Sequence, residues 1–543
     1  MTVLPTRWHF VRAHRFLSSA LALVVLAAVG VGGVWAYGAL FPPALSCGAG
    51  LTLVGKPLSC VGVNLDGSRM RKDEPAAMRR LVAQVKAADD QVSGPYESVA
   101  LLLDLTPVEG VDTDSYASLY PNIEGAVSAQ WQANHTATYG TKPAVKLFLA
   151  NLGSGNNGWQ EAVRQITAHT ADHHIDEVIG LGQSTIQTRR AAKALTAAHL
   201  SVIGATVTAD TMNADPDTGK PMKGFYRLSY TNTDAVAAAA QFLDARPSPP
   251  AKVLIVRDTV GGDDYVRTLG ADADKGLKAR GRTLADLTYS SPDTAVQGRQ
   301  RQTDLLNVFG QRHAAICQAD PRAIFFAGRG SDLGAFLQSL DQAGPCRLGN
   351  PVVLTGDDGA EGIDDPAVIA AADHGTPIYF TALASPDEWD RASCESGVRT
   401  DFEVFKAAFT GKPDTCTHQT VEQDGPRAAP LAFPARDLDN GQAMLTHDAA
   451  AAAFRAARDG VTPGTDQTVR PDTLNALSSY VCPSMLPGAG GWIAFGAQGN
   501  PVDAAIPLVR IGPGGKVGTQ GVIWAKHTPM EELPKLGQPV PGC

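Results

Sequence analysis

The side chains best placed to do chemistry in this 543-residue sequence are hydroxyls, amides and carboxylates at the ends of apolar runs. Gln183, Ser184 and Thr185 follow the run Val178–Leu181, and Thr206 and Thr208 follow Leu200–Ala205. Further along, Asp264 and Tyr265 come after Lys252–Asp258, Arg329 after Ala323–Gly328, and Asp357 and Asp358 after Pro351–Gly356. Groups of these types hold a small polar ligand by hydrogen bonds and charge without breaking a bond in it. Gln183–Thr185 also stand where a helix opens. A helix N-terminus carries about half a positive charge and free N–H groups, so it favours a carboxylate. The same hydroxyls can cap that helix, and the two roles are compatible.

Patterns for covalent or metal chemistry are weaker. His169, His173 and His174 (HTADHH) put two imidazoles at i, i+4, with no third ligand nearby in sequence. The stretch Asn156–Trp159 does not match a phosphate-cradling loop, and there is no G-x-S-x-G elbow. His313 and Cys317 are close in sequence, but an oxidised cysteine is no nucleophile. The sequence thus points away from an enzyme, a metal site and a cofactor. A net charge of −9 offers no basic field for nucleic acid.

The elements that must position these side chains alternate. Short runs such as Ser98–Leu105, Ala144–Asn151, Lys252–Asp258, Ala323–Gly328 and Pro377–Leu383 are apolar on both faces, as strands covered by helices are. Between them Gln187–His199, Asp263–Arg280 and Ser331–Ala343 carry helical periodicity, the last with Ser331 as its expected N-cap. Alternating strands and helices imply parallel sheets with right-handed crossovers. Two series separate at the Pro-rich break 246–251, which predicts an α/β protein of two doubly wound lobes. Thr415–Asn440 and Val461–Pro487 lack periodicity and read as surface insertions.

Six segments in order resemble the type I periplasmic binding proteins, in particular the leucine/isoleucine/valine-binding branch of ABC importer receptors. They are Asp104–Asn134, Val178–Thr185, Leu200–Asp210 with its Ala205-Thr206 turn, Gly224–Ala235, Lys252–Val266 and Gly491–Val517. The last, with G-x-I-x-F…G-N-P…G-G-K, is similar to the family's terminal β-hairpin. The resemblance implies a Venus-flytrap fold that closes on a small, amino-acid-like ligand, for delivery to an ABC permease. In amino-acid-binding relatives the second lobe supplies a Tyr and a carboxylate for the ligand ammonium, roles that fall to Tyr265 and to Asp357 or Asp358. An arginine at 329 departs from that pattern. Ligand contacts are therefore expected from Gln183, Ser184, Thr185, Ala205 and Thr206 in the first lobe, and from Tyr265, Arg329, Asp357 and Asp358 in the second. The parse is 98–228 plus 384–460 for the first lobe and 229–378 plus 491–525 for the second, with 42–97 leading in and 526–543 as a tail. Crossovers are expected near Arg227–Asn232, near Pro377–Ala384 and within Arg458–Gly491.

Arg7, Arg12 and Arg15 precede the uncharged stretch Phe16–Phe41. A membrane-spanning helix needs about 20 apolar residues, so this stretch reads as an uncleaved signal anchor with residues 1–15 cytoplasmic. A single-pass membrane protein with an extracellular C-terminal domain follows. The eight cysteines agree, since all lie beyond the anchor and none forms C-x-x-C. Nearest-neighbour pairing gives Cys47–Cys60, Cys317–Cys346, Cys394–Cys416 and Cys482–Cys543. A tethered sensor that signals by lobe closure without transport is the alternative reading.

Overall fold

The computed structural model describes residues 45–109, 112–292, 298–341, 348–416, 418, 431–461, 470–482 and 484–524. Fourteen strands in these residues form two seven-stranded sheets. The first holds β1 (Leu51–Val54), β2 (Ser59–Asn64), β3 (Tyr96–Leu103), β4 (Ala144–Asn151), β5 (Ile175–Gly180), β6 (Ser201–Gly204) and β7 (Phe225–Arg227), in the order β1-β2-β4-β3-β5-β6-β7. The second holds β8 (Lys252–Asp258), β9 (Thr283–Tyr289), β10 (Ala323–Ala327), β11 (Val352–Thr355), β12 (Ile378–Thr381), β13 (Ala505–Ile511) and β14 (Val517–Trp524), in the order β14-β13-β12-β11-β10-β8-β9. Pairing is parallel from β4 through β7 and from β9 through β12, and antiparallel at the remaining edge.

The helices are α1 (Ala76–Gln91), α2 (Tyr116–His135), α3 (Trp159–His173), α4 (Ile186–Ala197), α5 (Asn232–Asp244), α6 (Asp264–Ala279) and α7 (Gly298–Gly310). They continue with α8 (His313–Ala319), α9 (Gly330–Asp341), α10 (Pro366–Asp373), α11 (Gly397–Thr410), α12 (Gln442–Asp459) and α13 (Arg470–Ser479). Apolar residues of α3 and α4 bury one face of the first sheet, and α1, α2 and α12 lie on its other face. The second sheet is covered by α7–α10 on one side and by α5 and α6 on the other. Helices on both faces explain why its central strands carry no polar side: β10 reads AIFFA and is buried throughout. Packing of α2 on α12 is close enough that a Cβ on Gly125 would lie 2.1 Å from the Ala443 carbonyl oxygen.

Two sequence expectations need correction. Ser331 is not an N-cap, because α9 already starts at Gly330, whose N–H donates to the Asp358 carboxylate at 2.6 Å. A carboxylate from a distant loop thus does the capping. The stretch 461–487 is not wholly a surface insertion, since α13 packs against β6 and α12 with Leu477 fully buried. Its sparse apolar residues hid the helix from a periodicity reading. The terminal hairpin itself spans Ala505–Trp524, turning at Pro513–Gly515.

The chain passes between the sheets three times. It leaves β7 for α5, leaves β12 for the helices that pack on the first sheet, and returns to β13. The third crossing, expected within 458–491, comes after Pro501. Until there the chain stays on the first lobe, with Phe495 bridged to Pro501 and its ring 4.9 Å from that of Tyr226. These crossings lie side by side. The Tyr230 hydroxyl donates to the Thr381 carbonyl at 2.6 Å, and the Arg227 N–H donates to the Gly499 carbonyl at 2.9 Å. The buried Arg227 guanidinium adds bonds to Ala209 O at 2.7 Å and Asn500 Oδ1 at 2.8 Å.

Cys47–Cys60 and Cys394–Cys416 are bonded as nearest-neighbour pairing has it, with Cα atoms 5.4 and 5.5 Å apart. Cys317 and Cys482 are also disulfide-bonded, and their expected partners, Cys346 and Cys543, lie outside the described residues. Among the described residues no helix is long and apolar enough to cross a membrane. The expected anchor, 16–41, falls outside them.

Candidate functional site

Each sheet has one place where successive crossovers depart in opposite directions: between β3 and β5 in the first, between β8 and β10 in the second. Loops at the carboxyl ends of such strands diverge and leave a crevice, the usual ligand position in open α/β sheets. Here the two crevices face each other. A cavity of about 40 Å³ lies between them, lined by Gln183, Ser184 and Thr206 from the first lobe and by Tyr265, Arg329 and Asp357 from the second. Thr208 and Asp358 also border it. Outside it a vestibule of about 170 Å³ shares Asp114, Gln183 and Arg329 with the cavity.

Two of the expected contacts sit elsewhere. Ala205 is fully buried and gives its N–H to the Gly180 carbonyl at 3.0 Å, so it stands behind the wall. Thr185 borders the vestibule and is the N-cap of α4, its side chain accepting from the Thr188 N–H in a capping box. The helix terminus expected to receive a carboxylate is already engaged across the cleft. The Ile186 N–H donates to Gly262 O at 3.0 Å, and the Ser184 carbonyl accepts from the Tyr265 N–H at 3.1 Å. Main-chain bonds thus join the lobes directly, with Arg189 pairing Asp264 at 3.2 Å alongside.

Arg329 is buried and committed. Its Nε and Nη2 donate to the two oxygens of Asp263 at 2.7 and 3.0 Å, and Nη1 donates to Asp358 Oδ1 at 3.2 Å. The guanidinium lies 4.7 Å from the Tyr265 ring centroid. The other carboxyls have neutral partners. Asp357 accepts from the Thr208 hydroxyl at 3.0 Å, Asp114 is bonded by Gln183, and Glu361 accepts from Gln442 Nε2 at 3.1 Å. Burial raises all three, Asp357 to about 7 and Asp114 to about 6, and Glu361 well above its ordinary value. Neighbouring Asp358 pushes each in the same direction.

Sequence reasoning missed Asp114, Glu361, Asn440 and Gln442 in this wall. Glu361 lies three residues beyond Asp358, and the short helical turn 357–362 carries it into the cavity. Gln442 opens α12, more than 200 residues from every strand end of the first lobe, and no local pattern marks it. His169 and His173 face each other on the last turn of α3 with ring centroids 5.8 Å apart, and among the described residues no group of three potential ligands could hold a metal ion.

The carboxyls give a pH prediction. An acid whose pKa is raised in the closed state keeps a proton that it loses once solvated, so closure weakens as pH rises from about 4 through the raised value. For Asp357, raised to about 7, the cost to closure grows as pH rises from about 4 to 7. Asp358 and Arg329 face it from its own lobe and Thr208 from the other. The empty cleft should open between pH 5 and 8, read as a longer distance between fluorophores at exposed Arg164 and Lys278. An unchanged distance would refute the account of these carboxyls.

No protein-family model and no curated protein matches the sequence, but solved structures match the fold. The leucine-binding protein LivK of Thermotoga maritima covers 79% of this chain and 98% of its own, at 17% identity and a TM-score of 0.55. The branched-chain amino acid transporter substrate-binding protein LivJ of Streptococcus pneumoniae, solved with isoleucine, covers 79% and 100%, at 15% identity and a TM-score of 0.52. A Rhodopseudomonas palustris solute-binding protein in complex with 4-hydroxybenzoate covers 82% and 99%, at 13% identity and a TM-score of 0.54. With two seven-stranded α/β sheets opposed across one cavity, the chain has the two-lobed fold of the type I periplasmic binding proteins.

Proposed function

We propose that this chain is an extracytoplasmic solute-binding protein, tethered through 16–41, that captures a small polar ligand between its lobes and performs no covalent chemistry. The observation that carries the reading is the cavity wall itself. Hydroxyl, amide and carboxyl groups from both lobes converge at strand carboxyl ends, so a ligand touching both lobes favours closure over opening. Structural neighbours are ABC transporter substrate-binding proteins, which supports an ABC permease as the partner that receives the solute. The uncleaved anchor read from the sequence favours the second reading, a sensor whose closure signals to a membrane partner.

At about 40 Å³ the cavity has space for only a few waters, so a ligand must enter an open form. The test follows the Arg164–Lys278 distance in the full chain at pH 8 during titration with small solutes. A saturable shortening with matching calorimetric heat is expected for at least one compound. Heat without any change in distance would remove lobe closure from the mechanism.

A further inference from the structure

The cleft's charge points to the kind of solute, an inference that rests on the solute-binding reading above. The cavity establishes the site, and its carboxyls establish only the sign of its field. Among the described residues Arg329 is the one cation lining the cavity, and it is held by Asp263 and Asp358 with its face on Tyr265. Arg301, which reaches the vestibule, is paired to the buried Asp332. Against these stand Asp114, Asp357 and Glu361, whose hydrogen-bond partners described above are all neutral. Among the described residues none of the three has an ion-pair partner. The vestibule adds two more carboxyls, Asp104 and Asp112.

At pH 8, above the values to which burial raises Asp357 and Asp114, a carboxylate entering this cleft meets an excess of negative charge and, among the described residues, no uncommitted arginine or lysine. An ammonium instead supplies the counter-charge that three carboxyls lack, and its three N–H donors suit acceptors converging from both lobes. Isoleucine and 4-hydroxybenzoate, held by structural neighbours, carry a carboxylate and no net positive charge. We infer that the solute captured here is an organic ammonium with net positive charge, seated against Asp357 and Glu361 of the second lobe and Asp114 of the first.

The experiment is calorimetry on the full chain at pH 8 with isopentylamine, cadaverine and lysine as cations, leucine as a neutral zwitterion, and glutamate and 4-hydroxybenzoate as anions. At least one cation should bind ten or more times tighter than leucine and both anions. The double variant D357N/E361Q should weaken that cation tenfold or more, while Asp172→Asn, exposed on α3, should leave it unchanged. Amides keep the shape of the two carboxyls and remove their cost of ionisation, so the double variant should melt no lower than the parent at pH 8. Leucine or an anion binding as tightly as the cations, with lobe closure, would overturn the charge assignment and leave solute binding standing. Cation binding indifferent to D357N/E361Q would overturn it as well. If no compound gives heat or closure, both readings fall.

Discussion

Replacing Arg329 with alanine should destabilise the protein by about 3–5 kcal/mol, the usual result of removing one partner from a buried ion pair. Two carboxylates depend on this guanidinium, and both have structural duties of their own. Asp263 caps α6, accepting from the Val266 N–H at 3.2 Å, and Asp358 accepts from Gly330 at the start of α9. Without Arg329 two charged groups remain in a poorly solvated cleft, and each must be protonated or drag its helix end toward water. Arg329→Lys restores a charge but not the planar fork that meets both Asp263 oxygens, so it should recover only part of the loss. Urea unfolding at pH 7 measures both variants. A loss below about 1 kcal/mol for alanine would mean that the Asp263–Arg329–Asp358 cluster contributes little.

Tyr265→Ala should cost a similar amount, about 3–5 kcal/mol, as large-to-small changes of buried aromatics do. The ring is 1% exposed and belongs to the core between α5, α6 and the second sheet. It also supports the Arg329 guanidinium from below and fills the space that a Cβ at Gly356 would need, with its hydroxyl 2.4 Å from that position. Tyr265→Phe keeps the ring in the core and against Arg329 and removes the hydroxyl beside Gly356, and with it the acceptor for the Asp358 N–H at 3.3 Å, for about 1 kcal/mol. Thermal and urea unfolding of the pair separate the ring from the hydroxyl. Equal losses for Phe and Ala would show that the ring's packing is not what matters. Because Arg329 and Tyr265 touch, the two alanine effects should not add.

Much of the fold was legible because buried parallel strands are written as apolar runs. Ala144–Asn151 and Lys252–Asp258 have the boundaries of β4 and β8, and the expected helix Asp263–Arg280 is α6 together with its two cap residues. The strands that escaped are those where this signal fails. Edge strand β9 exposes several of its residues, and β7 is three residues long. β1 and β2 pair as an antiparallel hairpin before the first parallel unit. In the site, residues following strand ends could be found from topology alone, and Gln183, Ser184, Thr206, Arg329, Asp357 and Asp358 do border one cavity. What could not be read is how each group is already used. The capping open to Thr185 in the sequence is its actual use, but Tyr265 is a core residue before it is a wall, and Arg329 is balanced by Asp263 from another loop. Those are tertiary facts, set by loops brought together across the two lobes.

The three side-by-side crossings decide how the lobes can move. Two bodies joined by a single flexible segment can bend, twist and slide independently. Here the first two segments are tied to each other at Tyr230–Thr381, and the roots of the first and third are held together on the first lobe, where Arg227 bonds Gly499 and Asn500. Twisting or sliding would shear those bonds, whereas bending needs only small dihedral changes in a few residues of each segment. Lobe motion therefore reduces to essentially one angular coordinate, and a single well-chosen distance reports the state of the whole molecule.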